Sequence, residues 1–449
     1  MKIALDIETF KTITSNFTHK IQPTTRLHYA EWRTITIYFI IYLRTPMSNI
    51  RYIKLLHIPF VSAWFATLPR SILTSVLVSI LVSVSATAQA KSANLVPAAP
   101  EIKAHAYLVM DFNSNSIIVS KNADKRVEPA SLTKIMTSYV TLYELSKNNI
   151  KLEDQVKISE KAWRMKGSRM FIEVNSWVSV KELLHGVIIQ SGNDASVALA
   201  EHIAGSESAF SDLMNQHALN LGMENTHFVN STGWPNKNHY TTAKDLSILT
   251  RALINDFKEH YPLFKVKYYT YNGIKQPNRN RLLWTDERVD GVKTGHTESA
   301  GYCLVSSAQQ KGMRLISVVT GTNSESAREN STRKLLSYGF RFYETFLLNK
   351  AHTSLTKQRI WKGDKEEINL GLIEDLYITA PKGSRSKIKA NMKLDAMITA
   401  PVTKGQQFGT VNVKLGDDTL ASRPLVSLTN IKEGGFFSTL IDNIILLFK

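Results

Sequence analysis

The sequence predicts an α+β protein: an antiparallel sheet covered by helices over about 250 residues, then a small all-β domain and a C-terminal amphipathic helix. Three observations predict it. Apolar strand-like runs lie at both ends of a helix-rich stretch, near 105–120 and 302–320. Between them, apolar residues recur every three and four positions, the spacing of one helix face. Past residue 351 those stripes give way to short alternating runs broken by Pro and Gly, the texture of strands and turns.

Each element follows from its pattern. His105–Asp111 and Ile117–Ser120 read as a hairpin around Asn113-Ser114-Asn115. A helix is expected from Ser131, with Leu132, Ile135, Met136, Tyr139, Val140 and Tyr143 on one face. A second spans Val180–Ile189 and ends at Gln190-Ser191-Gly192-Asn193. A third starts with Asp194 as N-cap and runs to Ile203, where Gly205 stops it. Tyr302–Ser307 and Arg314–Thr320 read as strands joined by a turn at Gln309–Gly312. In the β-domain the runs are Leu376–Thr379, Ala396–Thr399 and Gly409–Val413. From Phe436, apolar residues fall at 436, 437, 440, 441, 444, 445, 447 and 448, with Ser438, Thr439, Asp442 and Asn443 opposite. Such a helix is too interrupted to span a bilayer and suits its surface; packing on the β-domain is the alternative.

The opening of the chain reads differently. Arg70, the apolar stretch Ile72–Val84 and the small residues Ser85–Ala90 make a secretory signal, cut after Ala88 or, preferably, Ala90. The stretch is shorter than the ~20 residues a membrane-spanning helix needs. Residues 1–69 carry no fold-level pattern, and a downstream translation start such as Met47 would account for them. The expected division is therefore an unexplained extension at 1–69, signal 70–90, linker 91–104, α+β domain 105–350, β-domain 351–430 and amphipathic helix 431–449.

Length and composition narrow the partners. The chain has 449 residues, 43% of them hydrophobic, and a net charge of +17. Residues 1–90 hold nine Lys/Arg against three Asp/Glu, a surplus of +6 that leaves +11 for the remainder. A basic surface favours lipid headgroups, cell-wall polymers or nucleic acid. Without zinc-ligand spacing, a phosphate-cradling loop or an aromatic-basic motif, a membrane or cell wall is expected, with no nucleic acid, metal or cofactor. The one cysteine, Cys303, lies in an apolar run and reads as a small buried hydrophobe.

Chemistry enters with Ser131 and Lys134, one helical turn apart and so projecting together. A serine hydroxyl attacks only when a base takes its proton, and a lysine serves once its pKa is lowered. The pattern is cheap alone: it recurs at Ser331–Lys334, Ser354–Lys357, Ser384–Lys387 and Ser386–Lys389. Order gives it weight. Ser131-x-x-Lys134 is followed by Ser191-Gly192-Asn193 and Lys293-Thr294-Gly295, with first residues 60 and 102 apart.

These motifs resemble the D-alanyl-D-alanine carboxypeptidases, the low-molecular-mass penicillin-binding proteins of serine peptidase family S11. Glu128–Lys134, Gln190–Asp194, Asn272–Gln276, Asn278–Asn280, Leu282–Trp284 and Asp290–Thr297 carry the resemblance, which covers about residues 100–449. It implies a penicillin-binding/β-lactamase-like transpeptidase domain, a small β-domain and an amphipathic anchor at the periplasmic face of the inner membrane. It also implies peptidoglycan stem peptides as substrate and β-lactam antibiotics as covalent inhibitors. Ser131 would be the nucleophile, Lys134 its base and Ser191 a proton relay. Asn193 would bind the substrate amide, Lys293 would add positive potential, and Thr294 and Arg279 would hold the terminal carboxylate. Gly295 lies in the same substrate-binding run, and the backbone N–H groups of Ser131 and His296 would form the oxyanion hole. One departure stands out: some relatives place a histidine where Thr232 precedes Gly233. A β-lactamase is the alternative enzyme, usually without the C-terminal region. A quiet cell-wall scaffold or penicillin sensor is the non-enzymatic one.

Overall fold

The computed structural model describes residues 96–395 and 397–448. The extension at 1–69 and the signal at 70–90 lie outside the described residues, as does the start of the linker. The first domain opens with strands β1 (Ala106–Asp111) and β2 (Ile117–Lys121), a 3₁₀ turn at Ala130–Thr133 and helix α1 (Lys134–Ser146). Strands β3 (Gln155–Lys157) and β4 (Trp177–Ser179) flank the helical turn α2 (Glu160–Trp163). Helices α3 (Val180–His185), α4 (Asn193–Ala204), α5 (Glu207–Asn220) and α6 (Ala243–Asp256) follow. Then come β5 (Tyr268–Tyr271), β6 (Ile274–Pro277) and the turn α7 (Leu282–Thr285). Strands β7 (Val289–Thr297), β8 (Gly301–Gln310) and β9 (Met313–Thr322) and helix α8 (Glu325–Phe342) complete the domain.

Five strands make one antiparallel sheet in the order β2-β1-β9-β8-β7. Both faces of β1 are buried, so it reads as a continuous apolar run rather than an alternation. Leu108 and Met110 pack with Ile316, Val318 and the α1 residues Ile135 and Met136. Val109 points the other way, to Leu315, Val319 and the α8 residues Leu335, Leu336 and Phe340. The β8–β9 turn uses Lys311 and Gly312 at φ 50° and 81°, the two positive values that a tight right-twisted hairpin requires. Among the described residues strand β7 pairs on one side only, which leaves its other edge open beside α1.

Helix ends differ from the pattern-based expectation. The α-helix begins at Lys134, because Ala130 takes φ 47° and Ala130–Thr133 winds as a tighter 3₁₀ turn. Helix α4 has Gly192 at its N-cap; Asp194 lies inside the first turn, its carboxylate directed to a neighbouring loop. Gly205 stops α4 in the left-handed conformation, as expected.

The second domain holds β10 (Tyr343–Asn349), β11 (Ser354–Trp361), β12 (Glu367–Gly371), β13 (Leu376–Pro381), β14 (Ile388–Leu394), β15 (Ile398–Thr399), β16 (Gln407–Leu415) and β17 (Asp418–Ser427). Its core joins Ile368, Leu370, Ile378, Val411, Val413 and Leu425. Strand β10 pairs with β13, so β pairing begins eight residues before the change of texture at 351. No linker intervenes: β10 continues directly from α8, and only its pairing partner shows which domain holds it. A buried polar seam joins the domains. Asp111 accepts from Thr345 Oγ1 at 2.7 Å, and Ser114 Oγ meets Thr379 Oγ1 at 2.7 Å.

Helix α9 (Phe436–Leu447) contacts the β-domain through its polar side. Asp442 accepts from the Lys362 backbone N–H at 2.5 Å and pairs with Arg359 at 3.1 Å. The apolar Phe436, Phe437, Leu440, Ile441, Leu447 and Phe448 stay exposed. Among the described residues no helix is long and apolar enough to cross a membrane. Cys303 is wholly buried, and burial pushes its thiol up to about 11, which leaves it an unreactive hydrophobe.

Candidate active site

In a 3₁₀ turn, residues i and i+3 eclipse one another. That geometry, rather than an α-helical stripe, aligns Ser131 with Lys134. The Lys134 ammonium donates to Ser131 Oγ at 3.2 Å, Asn193 Oδ1 at 2.7 Å and the Thr232 carbonyl at 2.7 Å. Three hydrogens meet three acceptors, so the amine is held without slack. Lys134 is completely buried, and desolvation lowers its pKa to about 7; Arg279 pushes the same way and Asp194 opposes. An amine poised there can accept a hydroxyl proton near neutrality.

Ser191 is buried and lies two residues before Asn193, on an irregular stretch of chain. The expected second helix is α only through His185; Gly186–Gln190 forms a π-helical turn, ending with Ser191 at φ 65°. The widened turn closes through Gly192 N–H to the Gly186 carbonyl at 2.9 Å. Such insertions are common where a side chain must be re-aimed.

Asn193 and Asp194 are pinned by residues 166–172. Asn193 donates its amide to the Lys166 carbonyl at 2.6 Å and its backbone N–H to Ser168 at 2.7 Å. A carboxamide carries two hydrogens, so one is left for a ligand amide. The buried Asp194 carboxylate accepts the backbone N–H groups of Met170, Phe171, Ile172 and Ala195 at 2.8–3.3 Å. Short polar residues look like helix caps in sequence; that this one gathers a distant loop shows only in three dimensions.

Strand β7 supplies the opposite wall. Gly295 lies so close to the nucleophile turn that a Cβ there would meet Leu132 Cγ and the Pro129 carbonyl at 3.2 Å. Lys293 and Thr294 are buried, and Lys293 Nζ donates to the Thr294 carbonyl at 3.0 Å. Burial holds the Lys293 amine well below its usual range, reinforced by the charges of Lys134, Arg279 and Arg328. The His296 side chain is exposed and stacks on Tyr302 at 4.0 Å. Arg279 is also exposed, between the buried Asn278 and Asn280. Asn278 donates to the Val266 carbonyl and Asn280 to the Gly291 carbonyl, so the arginine projects from a clamped loop. Its positive charge adds to the lowering of both lysine pKa values, which burial chiefly causes.

The floor is the loop 230–234. Asn230 Oδ1 accepts the N–H groups of Thr232, Gly233 and Trp234, and Glu207 accepts Ser231 N–H and Oγ–H. At the departure from the family pattern, Thr232 uses its carbonyl to hold Lys134 and its hydroxyl to reach Asn230.

The repeated motif lies elsewhere. Ser354 and Lys357 fall in β11, where Ser354 bonds Asn369 and Lys357 pairs with Glu367. Ser354→Ala is expected to leave turnover within experimental error, measured as kcat/KM on a peptide substrate.

Known proteins resemble this chain over both domains. Residues 93–324 match the family model for D-alanyl-D-alanine carboxypeptidase, and residues 343–433 that for the penicillin-binding protein 5 C-terminal domain. The D-alanyl-D-alanine carboxypeptidase DacC of Escherichia coli is 45% identical over 358 residues, 78% of this chain and 90% of that protein. DacF of Bacillus subtilis is 38% identical over 345 residues, 75% of this chain and 88% of its own. Penicillin-binding protein 5 of Haemophilus influenzae superposes with a TM-score of 0.73 at 43% identity, covering 75% of this chain and 100% of that structure. Penicillin-binding protein D2 of Listeria monocytogenes, solved in its ampicillin-bound form, superposes with a TM-score of 0.51 at 29% identity, covering 54% and 100%. A Ser-Lys pair with its lysine buried, an asparagine at the start of α4 and a Lys-Thr-Gly edge strand, with both domain models matched in order, mean that the chain belongs to the D-alanyl-D-alanine carboxypeptidase family.

Proposed function

We propose that this chain is a serine-type D-Ala-D-Ala carboxypeptidase that removes the terminal D-alanine from peptidoglycan stem peptides through an acyl-enzyme on Ser131. The contact that carries the reading is Lys134 Nζ to Ser131 Oγ at 3.2 Å, with the lysine buried and its pKa near 7.

The substrate lies along the open edge of β7, where its backbone adds to the strand. Arg279 and Thr294 receive the terminal carboxylate; this negative charge favours the protonated form of Lys293, which burial had suppressed. Asn193 bonds the substrate amide. Lys134 takes the Ser131 proton as Oγ attacks the carbonyl between the two D-alanines. The oxyanion accepts the backbone N–H groups of Ser131 and His296, donors typically worth ~3 kcal/mol each. The C–N bond breaks as Ser191 passes a proton from Lys134 to the leaving amine, and D-alanine departs. Water then gives a proton to Lys134 as its oxygen attacks the ester carbonyl; the C–Oγ bond breaks and Lys134 returns the proton to Ser131 Oγ. A β-lactam meets the same attack, but its leaving nitrogen stays tethered, so the acyl-enzyme persists.

The assay is D-alanine release from a diacyl-Lys-D-Ala-D-Ala peptide. Release supports the reading; penicillin hydrolysis without release makes the chain a β-lactamase, and neither activity makes it a binding protein.

We also place the protein on the periplasmic face of the inner membrane, exported by the signal at 70–90. The exposed apolar side of α9 and the basic charge support that reading. Deleting residues 436–449 is expected to abolish co-flotation with anionic phospholipid vesicles; continued flotation contradicts it.

A further inference from the structure

His239 lies outside every motif above and is almost fully buried, 2% exposed. Its hydrogen bonds form a one-way chain. The Val229 N–H donates to Nδ1 at 3.1 Å, so the ring hydrogen sits on Nε2. Nε2 lies 2.8 Å from Thr133 Oγ1 and donates to it. The single Thr133 hydroxyl hydrogen is thereby committed to the Ala130 carbonyl, also at 2.8 Å.

That carbonyl belongs to the peptide whose N–H is that of Ser131. The bond is trans, and a trans peptide is a rigid plane in which C=O and N–H point in opposite directions. Whatever fixes the Ala130 oxygen therefore aims the Ser131 N–H. The plane needs fixing: Ala130 has φ 47°, a left-handed conformation costly for a residue with a Cβ. Gly233 presses on the same oxygen from another side, where a Cβ would approach to 1.8 Å. A bond to the carbonyl also polarises the amide, making its N–H a stronger donor.

We infer that His239 and Thr133 are positioning residues that aim and polarise the Ser131 N–H as an oxyanion-hole donor, a role that rests on Ser131 being the nucleophile. Fastening the 226–241 segment does not explain the histidine. That segment is already held by the His227–Tyr240 and Val127–Thr241 backbone pairs and by Thr226 on Asp245. Burial also lowers the pKa of His239 to about 4, helped by His227 and Lys134, so the ring stays neutral and the direction of donation is kept.

The test reads the oxyanion hole directly. The protein is acylated with penicillin carrying a ¹³C-labelled β-lactam carbonyl, and the ester stretch is recorded by infrared difference spectroscopy. In Thr133→Val and His239→Leu the ester band is expected at higher frequency, because its carbonyl is less strongly hydrogen-bonded. Removing an oxyanion donor outright costs about 10²–10³ in rate, and loosening one is expected to cost about tenfold in kcat, with KM little changed. Thr133→Ser and His239→Gln, which keep a hydroxyl and an N–H donor, recover most of the rate and the wild-type band. Should His239→Leu fail to fold, Thr133→Val against Thr133→Ser decides. Wild-type band and acylation rate in Thr133→Val overturn the inference alone. An unacylated wild type overturns the function on which it rests, and the inference with it.

Discussion

Ser131→Ala is expected to lower D-alanine release by about 10³–10⁶-fold, the range for removing a nucleophile from a set of groups that act together. The described contacts of Lys134 Nζ offer no substitute. Its other partners are an amide oxygen and a backbone carbonyl, neither of which can be acylated and released in a cycle. Truncation removes one acceptor from the ammonium and leaves the other two, so the domain is expected to stay folded, checked by an unchanged unfolding temperature within a few degrees. Penicillin labelling disappears in parallel. A variant that retains release identifies another nucleophile and ends the assignment.

Lys134 carries the second large effect. Lys134→Arg keeps a positive charge but replaces an amine with a guanidinium that does not give up its proton in proteins. It is expected to lose release by at least about 10²–10⁴-fold, the worth of a positioned base. In the wild type, burial brings the amine to about 7. The base works unprotonated, so kcat/KM rises with pH, about tenfold per unit well below 7, and levels above it. The substrate's carboxylate favours the ammonium and moves the corresponding limb of kcat upward. A flat profile from pH 5 to 9, or an active Lys134→Arg, shows that another group takes the proton.

Much of this site was legible because its chemistry is written in short local patterns. Ser131 and Lys134 are three positions apart, Ser191 and Asn193 two, and Lys293–Gly295 consecutive. Short apolar runs bounded by turn residues likewise exposed β1 and the pair β8–β9, whose turn carries Lys311-Gly312. Other features had no local mark. The 3₁₀ turn at Ala130–Thr133 and the π turn at Gly186–Gln190 keep helical apolar spacing while changing the winding. Asp194 looks like a cap, and its loop partners lie 22–24 residues away. His239 is 106 residues from Thr133, joined to it only by folding. Strand β10 is set by its pairing with β13, a contact that propensity does not encode.

The central claim is a reactive hydroxyl at residue 131 made so by Lys134. Peptide mapping by mass spectrometry after incubation with penicillin tests it most directly. A single penicilloyl adduct on Ser131, lost in Ser131→Ala and persisting for minutes or longer in the wild type, is the predicted result. An adduct on Ser354 or any other residue, or no adduct while D-alanine is still released, contradicts it.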